Sequence, residues 1–344
     1  GKSGWSFGLS DLWIVAGNAF VGSFLAWKLF ARRTRCMTNR LKAITMPQFL
    51  SARYQSPKMK IFSALIIFIF LVPYSSSVYV GLSYFLNIVL DIPYEVSLFC
   101  IAGVTAFYLV LGGYFAVALT DFFLGILMIL GVGAMLFFVV NSPQVGGLMN
   151  VVPALKAVDP VLTSPFGPDK WALFSLVFLT SVGTWGLPQM TQKFYAVKNE
   201  KVIKTATWVT FFLCAWIAFG AYFNGALCRL FFPSLDAVGG NVDMLVPTMV
   251  SQVVPDLVLV MILLLVLSAS MSTLASLVLV SSSAVAVDLM SIVKPDMKKS
   301  SVVLWMRILC LVFIGLSLYL ALNPNAIVSL MSFSWGAVAG SFLA

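Results

Sequence analysis

The sequence contains no histidine, and it is poor in charge: only 10% of its 344 residues are Asp, Glu, Lys or Arg. Without histidine there is no His-ligated metal or haem, and no Ser-His-Asp or Cys-His catalytic set. No paired carboxylates stand in for them, so an enzyme is not expected. The five cysteines, Cys36, Cys100, Cys214, Cys228 and Cys310, are odd in number and form no CxxC pair. No disulfide framework is implied. Four of them fall in apolar runs and read as small buried hydrophobes. Above all, so few charges cannot cover the surface of a soluble protein of this length.

What is present is apolar. Hydrophobic residues make up 61% of the chain, against about 45–50% in soluble domains, and mean hydropathy is +1.02. Lipid must therefore be part of the solvent. Backbone groups in lipid are satisfied internally, so the spans are helices or a closed barrel. Nine apolar segments stand out, at 6–30, 61–90, 96–113, 116–140, 171–188, 205–232, 257–287, 301–322 and 326–344. They have the length of membrane helices rather than strands, and they lack the alternation of barrel strands. An all-α polytopic membrane protein is expected, with 1–344 as one transmembrane domain. Gly112-Gly113 marks a turn between the third and fourth segments. The chain starts at Gly1 rather than Met and stops at Ala344 inside an apolar run. A fragment cut at both ends is expected.

Charge orients the segments. The 31–60 stretch holds Arg32, Arg33, Arg35, Arg40, Lys42, Arg53, Lys58 and Lys60 with no acid. The 189–204 loop holds Lys193, Lys198, Lys201 and Lys204 against Glu200, and 290–300 holds Lys294, Lys298 and Lys299 against Asp296. All three fall on one side if the segments alternate. The opposite loops carry Asp91, Glu95, Asp159, Asp169, Asp236, Asp243 and Asp256 against only Lys2, Lys156 and Lys170. The basic side is then cytoplasmic and Gly1 lies outside, in a bacterial inner membrane. The net charge of +9 reads as a topology determinant, with anionic lipid heads as a further contact, rather than as a nucleic-acid surface. The 141–170 loop, rich in Pro and Gly, has room for a short surface helix.

Four places carry candidate chemistry. In 257–287, Ala269, Ser272, Thr273 and Ser276 fall on one helical face. Small residues there suit close helix packing. They equally suit an alkali cation, which needs oxygen ligands: the hydroxyls of Ser272 and Thr273, and a carbonyl freed near Ala269. In 171–188, Gly183, Gly186 and Pro188 interrupt the span. This is either a proline kink or the broken helix that marks a transporter's midplane site. In 61–90, Pro73-Tyr74-Ser75-Ser76-Ser77 either contacts a polar solute or bonds back to its own helix. Asp121, at the cytoplasmic end of its segment, is either a functional intramembrane acid or a helix-start acid favoured by the dipole. Arg229, Arg307 and Asp288 lie near span ends, where snorkelling explains them.

At these residues the sequence resembles the sodium:solute symporter family, in its sodium/proline and sodium/pantothenate carrier branch. The resemblance rests on Gly112-Gly113-Tyr114 through Thr120-Asp121, on Leu267-Ser268-Ala269 through Thr273, and on Gly186-Leu187-Pro188 through Lys193-Phe194-Tyr195-Ala196. Trp27-Lys28-Leu29 and Met46-Pro47-Gln48-Phe49 fit the same branch. It implies a leucine-transporter-like core of two inverted repeats, of which this chain would hold core helices two to ten. It implies a sodium-coupled symporter that imports a small organic solute by alternating access, with sodium as transported co-substrate and no organic cofactor. Ala269, Ser272 and Thr273 would hold sodium, and Asp121 would lie on its path. Tyr74, Ser75, Thr184, Trp185 and Gln189 are the expected solute contacts. Thr180 and Thr184 stand where proline-type carriers place aromatics, and Ile14, Val15 and Ala16 where sugar carriers place an acid. An amino acid or small organic acid is therefore favoured. A transporter-like module of a solute sensor, and a proton-coupled carrier of the same fold, are the alternatives.

Overall fold

The computed structural model describes residues 1–197, 199–294, 298–323 and 327–342, with side chains for all of these except 108, 111–120, 291, 299, 327 and 328. The described chain is helical almost throughout. Helix α1 is a continuous run, Lys2–Leu41, that tightens to a 3-10 turn at Gly8–Asp11 and widens to π-helix at Gly17–Leu25 and Trp27–Ala31. After it come α2 (Met46–Tyr54), α3 (Pro57–Leu90) and α4 (Tyr94–Val140). Helices α5 (Val151–Val158), α6 (Lys170–Ser181), α7 (Pro188–Ala196) and α8 (Glu200–Phe231) follow. The chain continues through α9 (Leu245–Val253), α10 (Asp256–Leu289), α11 (Lys299–Ala321) and α12 (Ile327–Phe342).

Among the described residues the expected apolar segments lie on these helices, apart from the 182–187 stretch between α6 and α7. Among the described residues, six helices are long and apolar enough to cross a membrane, or seven with the bent pair α6–α7. The 96–113 and 116–140 segments both fall in α4, whose backbone is helical through its 47 residues. That is on the order of 70 Å of helix, more than twice the thickness of a bilayer's hydrocarbon core. The turn expected at Gly112-Gly113 is not formed, because the backbone there continues as helix; Lys198 and Asp296 lie outside the described residues. The 31–60 stretch is not a loop. Its basic residues ride on the last turns of α1 (Arg32, Arg33, Arg35, Arg40), on α2 (Arg53) and on the first turn of α3 (Lys58, Lys60), with Lys42 capping α1. The short helix expected in 141–170 is α5.

Local chemistry sets the ends. Lys42, Gln55 and Asp91 take left-handed φ of 51°, 50° and 54° and stop α1, α2 and α3. Pro57 and Pro188 sit at the first turn of α3 and α7, where a missing N–H costs nothing. Asp169 caps α6 by accepting from Trp171 and Ala172 N–H at 2.9 and 3.0 Å. Pro73 lies inside α3 without breaking it.

The helices pack around α3 and α10. Ile67, Leu71 and Leu82 of α3 meet Leu274 and Leu277 of α10, Phe313 of α11 and Val338 of α12 in one buried cluster. The outer faces carry exposed Phe107, Phe137, Phe174 and Trp208, as lipid contact requires. Cys228 and Cys310 are buried as expected, but Cys100 is exposed and Cys214 half-buried. Their apolar runs turn one face to lipid, so an apolar neighbourhood in sequence did not mean burial in protein.

Two residues assigned to snorkelling do something else. Asp288 is fully buried, and its Oδ1 accepts the Thr45 hydroxyl at 2.9 Å. Thr45 also caps α2 by accepting from Gln48 N–H at 3.3 Å, so one side chain ties α10's end to α2. Arg229 donates from Nε to the Trp5 carbonyl at 3.0 Å and lies 4.2 Å from the centre of the Trp5 ring. It joins α8 to α1 where Gly4 brings the two backbones together: a methyl there would overlap the backbone of Gly225 and Ala226.

Candidate functional site

The interruption in 171–188 is a true break. Helix α6 ends at Ser181, a 3-10 turn covers Gly183–Gly186, and α7 restarts at Pro188 with a 45° bend between the two. Proline at a helix's first turn starts a new helix and does not merely kink an old one. Most groups freed by the break are re-paired inside the turn. The Thr184 hydroxyl donates to the Ser181 carbonyl at 2.7 Å, and Leu187 N–H to the Thr184 carbonyl at 3.2 Å. The turn is fixed from outside by α12: a Cβ on Gly186 would come within 2.8 Å of Ala339 Cα.

Helix α10 runs unbroken past the break. Ala269, Ser272, Thr273 and Ser276 share a face, but the Ala269 carbonyl is not freed by any local opening. It accepts the Thr273 hydroxyl at 2.8 Å. A hydroxyl that donates its proton to a carbonyl keeps its own lone pairs, so Thr273 Oγ1 still faces outward as an acceptor.

The break and this face enclose a cavity of about 200 Å³. It is lined by Tyr74 of α3, Thr184 and Leu187 of the turn, Gln189, Met190 and Lys193 of α7, Ser272, Thr273 and Ser276 of α10, and Trp335 of α12. The volume is below the range of about 300–1,000 Å³ usual for drug-sized ligands, so it suits a small molecule. The Tyr74 and Trp335 rings meet edge to face, with centres 5.5 Å apart and planes at 83°. They form a rigid aromatic wall opposite the amide and hydroxyls. Gln189 Oε1 is buried without a hydrogen-bond partner, a polar atom left over for something the cavity holds.

Of the expected residues, Tyr74, Thr184, Gln189, Ser272 and Thr273 come together here. Ser75 and Trp185 do not. Ser75 is fully buried away from the cavity. Trp185 donates from Nε1 to the Val21 carbonyl at 3.0 Å and stacks edge-on against Phe30, so it braces the turn against α1. Asp121 is on α4, just outside the lining. One oxygen, Oδ1, is buried without a hydrogen-bond partner, and the carboxyl lies within electrostatic reach of Ser272 and Lys193. The Gly112-to-Thr120 part of its motif lies outside the described side chains.

Lys193, Trp335, Leu187 and Met190 were missed. Lys193 was read as a loop charge, although its spacing of one helical turn from Gln189 after Pro188 was a usable signal. Trp335 carries no local signal; only the fold brings it to Tyr74.

A second, larger cavity of about 720 Å³ opens among the basic segments. Its lining includes Gln192 and Tyr195 of α7, Leu279, Ser283 and Val287 of α10, and Arg307 and Cys310 of α11. Arg307 therefore borders a cavity. The two cavities share α7 and α10.

Known proteins resemble this chain in sequence and in fold. A model of the sodium:solute symporter family matches residues 2–344. The osmoregulated proline transporter OpuE of Bacillus subtilis (strain 168) is 30% identical over 341 residues, covering 97% of this chain and 68% of that protein. A sodium/pantothenate symporter of Haemophilus influenzae is 27% identical over 327 residues, covering 93% of this chain and 66% of that protein. The chain thus spans about two thirds of the length of these relatives. Among solved structures, a substrate-bound, outward-open sodium-coupled sialic acid symporter superposes with a TM-score of 0.71 at 15% identity, over 93% of this chain and 72% of that one. The fold is the leucine-transporter-like one that the sequence resemblance implied.

Proposed function

This chain belongs to the sodium:solute symporter family, and from that premise we propose that it couples sodium to the uptake of an amino acid or small organic acid by alternating access. The observation that carries the reading is the shared cavity: hydroxyls suited to sodium and groups suited to a solute line one space of about 200 Å³. Coupling requires ion and solute to favour the same conformation, and a common wall gives that directly.

Sodium is held by Ser272 and Thr273 Oγ, with the Ala269 carbonyl behind Thr273. A ligand set of neutral oxygens suits a monovalent cation that must also leave, where carboxylates would retain it. Asp121, beside Ser272, marks the way out. The solute rests on the aromatic wall of Tyr74 and Trp335, with Thr184 and Gln189 supplying hydrogen bonds. Ser75 and Trp185 support the walls from behind. Proline and pantothenate, which the relatives' names specify, are both small molecules with a carboxylate, as this reading expects. We place the protein in a bacterial plasma membrane with Gly1 outside and the basic segments inside, its residues 1–344 acting as one transmembrane unit.

The test is thermal stabilisation of the purified protein by a panel of amino acids and small organic acids, in sodium and in potassium. A compound that stabilises only in sodium identifies the solute and supports symport. Stabilisation indifferent to sodium would instead favour a proton-coupled carrier.

A further inference from the structure

Among the described residues, Lys193 is the one charged side chain on the wall of the central cavity. It lies in the last turn of α7, one turn beyond Gln189, with its side chain exposed at the cavity's rim. Across the cavity stand Ser272, Thr273 and Ser276. Near this wall is Asp121, within electrostatic reach of Ser272 and Lys193, with its Oδ1 buried without a hydrogen-bond partner. The ion pairs among the described residues do not include Lys193. A mobile ammonium and a cation-binding wall thus face the same small volume and the same acid.

We propose that Lys193 is a tethered rival of sodium. With the hydroxyl face empty, its ammonium is drawn to Asp121 and supplies the positive charge there. With sodium bound, the two like charges repel across the cavity, and sodium is released more readily toward the basic side. A lysine suits this role because its compact charge rides on a flexible four-carbon stem. The inference rests on the sodium site assigned above.

A plainer role exists. A lysine in a helix's last turn complements the helix dipole and the orientation of the chain. That role leaves sodium affinity untouched, so affinity separates the two. At a separation of several ångströms in a partly hydrated cavity, removing the like charge tightens cation binding about threefold to tenfold.

The experiment is a sodium titration of purified wild type, Lys193→Met, Lys193→Gln and Lys193→Arg without solute. It reads thermal stability and tryptophan fluorescence, with potassium at matched ionic strength as control. Met and Gln are expected to bind sodium threefold to tenfold more tightly, and Arg to stay within about twofold of wild type. The use of two neutral variants keeps the test open if one fails to fold. Unchanged or weaker sodium binding in the folded neutral variants overturns the rivalry and leaves the sodium site standing. A wild type that shows no response to sodium overturns the site and the rivalry together.

Discussion

Thr273 makes two demands on one oxygen. Its proton goes to the Ala269 carbonyl at 2.8 Å, while its lone pairs face the cavity. Thr273→Ala removes the proposed ligand and frees the carbonyl but leaves the helix intact. About tenfold weaker sodium binding is expected, the order of one lost charge-assisted contact. Thr273→Ser, which keeps the hydroxyl, should stay near wild type. Equal sodium titrations for the alanine variant would make this face a packing surface. Gln189 offers the complementary case. Its Oε1 is buried and unpartnered, and Gln189→Leu keeps the volume without the amide. Solute affinity should fall about tenfold for the same reason, while the sodium response without solute stays as it was. A parallel loss of both would mean that the substitution disturbs α7 rather than a solute contact.

The break between α6 and α7 was legible in sequence because its causes are local: two glycines and a proline within a single apolar segment. The apolar segments were legible for the same reason, since hydropathy is a property of neighbours in the chain, but their division was not, because 96–113 and 116–140 lie on one helix. Contacts between distant helices were not. Tyr74 meets Trp335, and Asp288 meets Thr45, across most of the chain, and neither pair leaves a periodic trace. Polar helices were also hidden, which is why the 31–60 stretch looked like a loop and Lys193 like a surface charge. Gly186 shows what the break needs from its neighbour. Its Cβ position lies 2.8 Å from Ala339 Cα and 3.0 Å from the Ala339 carbonyl oxygen. Those are backbone atoms, so relief requires α12 to move as a body. Gly186→Ala should cost about 1–3 kcal/mol of stability, read as a lowered thermal midpoint, and should enlarge the cavity enough to weaken solute binding. Gly103, with nothing near its Cβ position, is the control. Its change to Ala should be neutral or slightly stabilising.

At the scale of the molecule, the two cavities on α7 and α10 would, on the proposed alternating-access reading, belong to one side of the cycle. The larger one opens among the basic segments and reaches Gln192 and Ser283, one to three turns along the same helices from Gln189, Ser272 and Ser276. A narrow space of only about 10 Å³ adjoins the larger cavity at Thr45, Gln192 and Ser283, with Pro188 and Val280 also on its wall. On the proposed alternating-access reading, opening or closing this side shifts α7 against α10. A ligand moves such an equilibrium only by its difference in affinity for the two states. If sodium favours the state open to the outside, it must close this side. Ser283→Cys, in a protein whose five native cysteines are replaced, places a thiol at the narrow point. Sodium should slow its reaction with a water-soluble maleimide several-fold, and potassium should not. A shift of tenfold corresponds to about 1.4 kcal/mol of coupling, within the usual range for linked sites. The Thr273→Ala change should abolish the sodium protection while leaving the rate in potassium unaltered. Labelling that ignores sodium in the unsubstituted background would mean that the ion binds both states equally, and an ion of that kind cannot drive uptake.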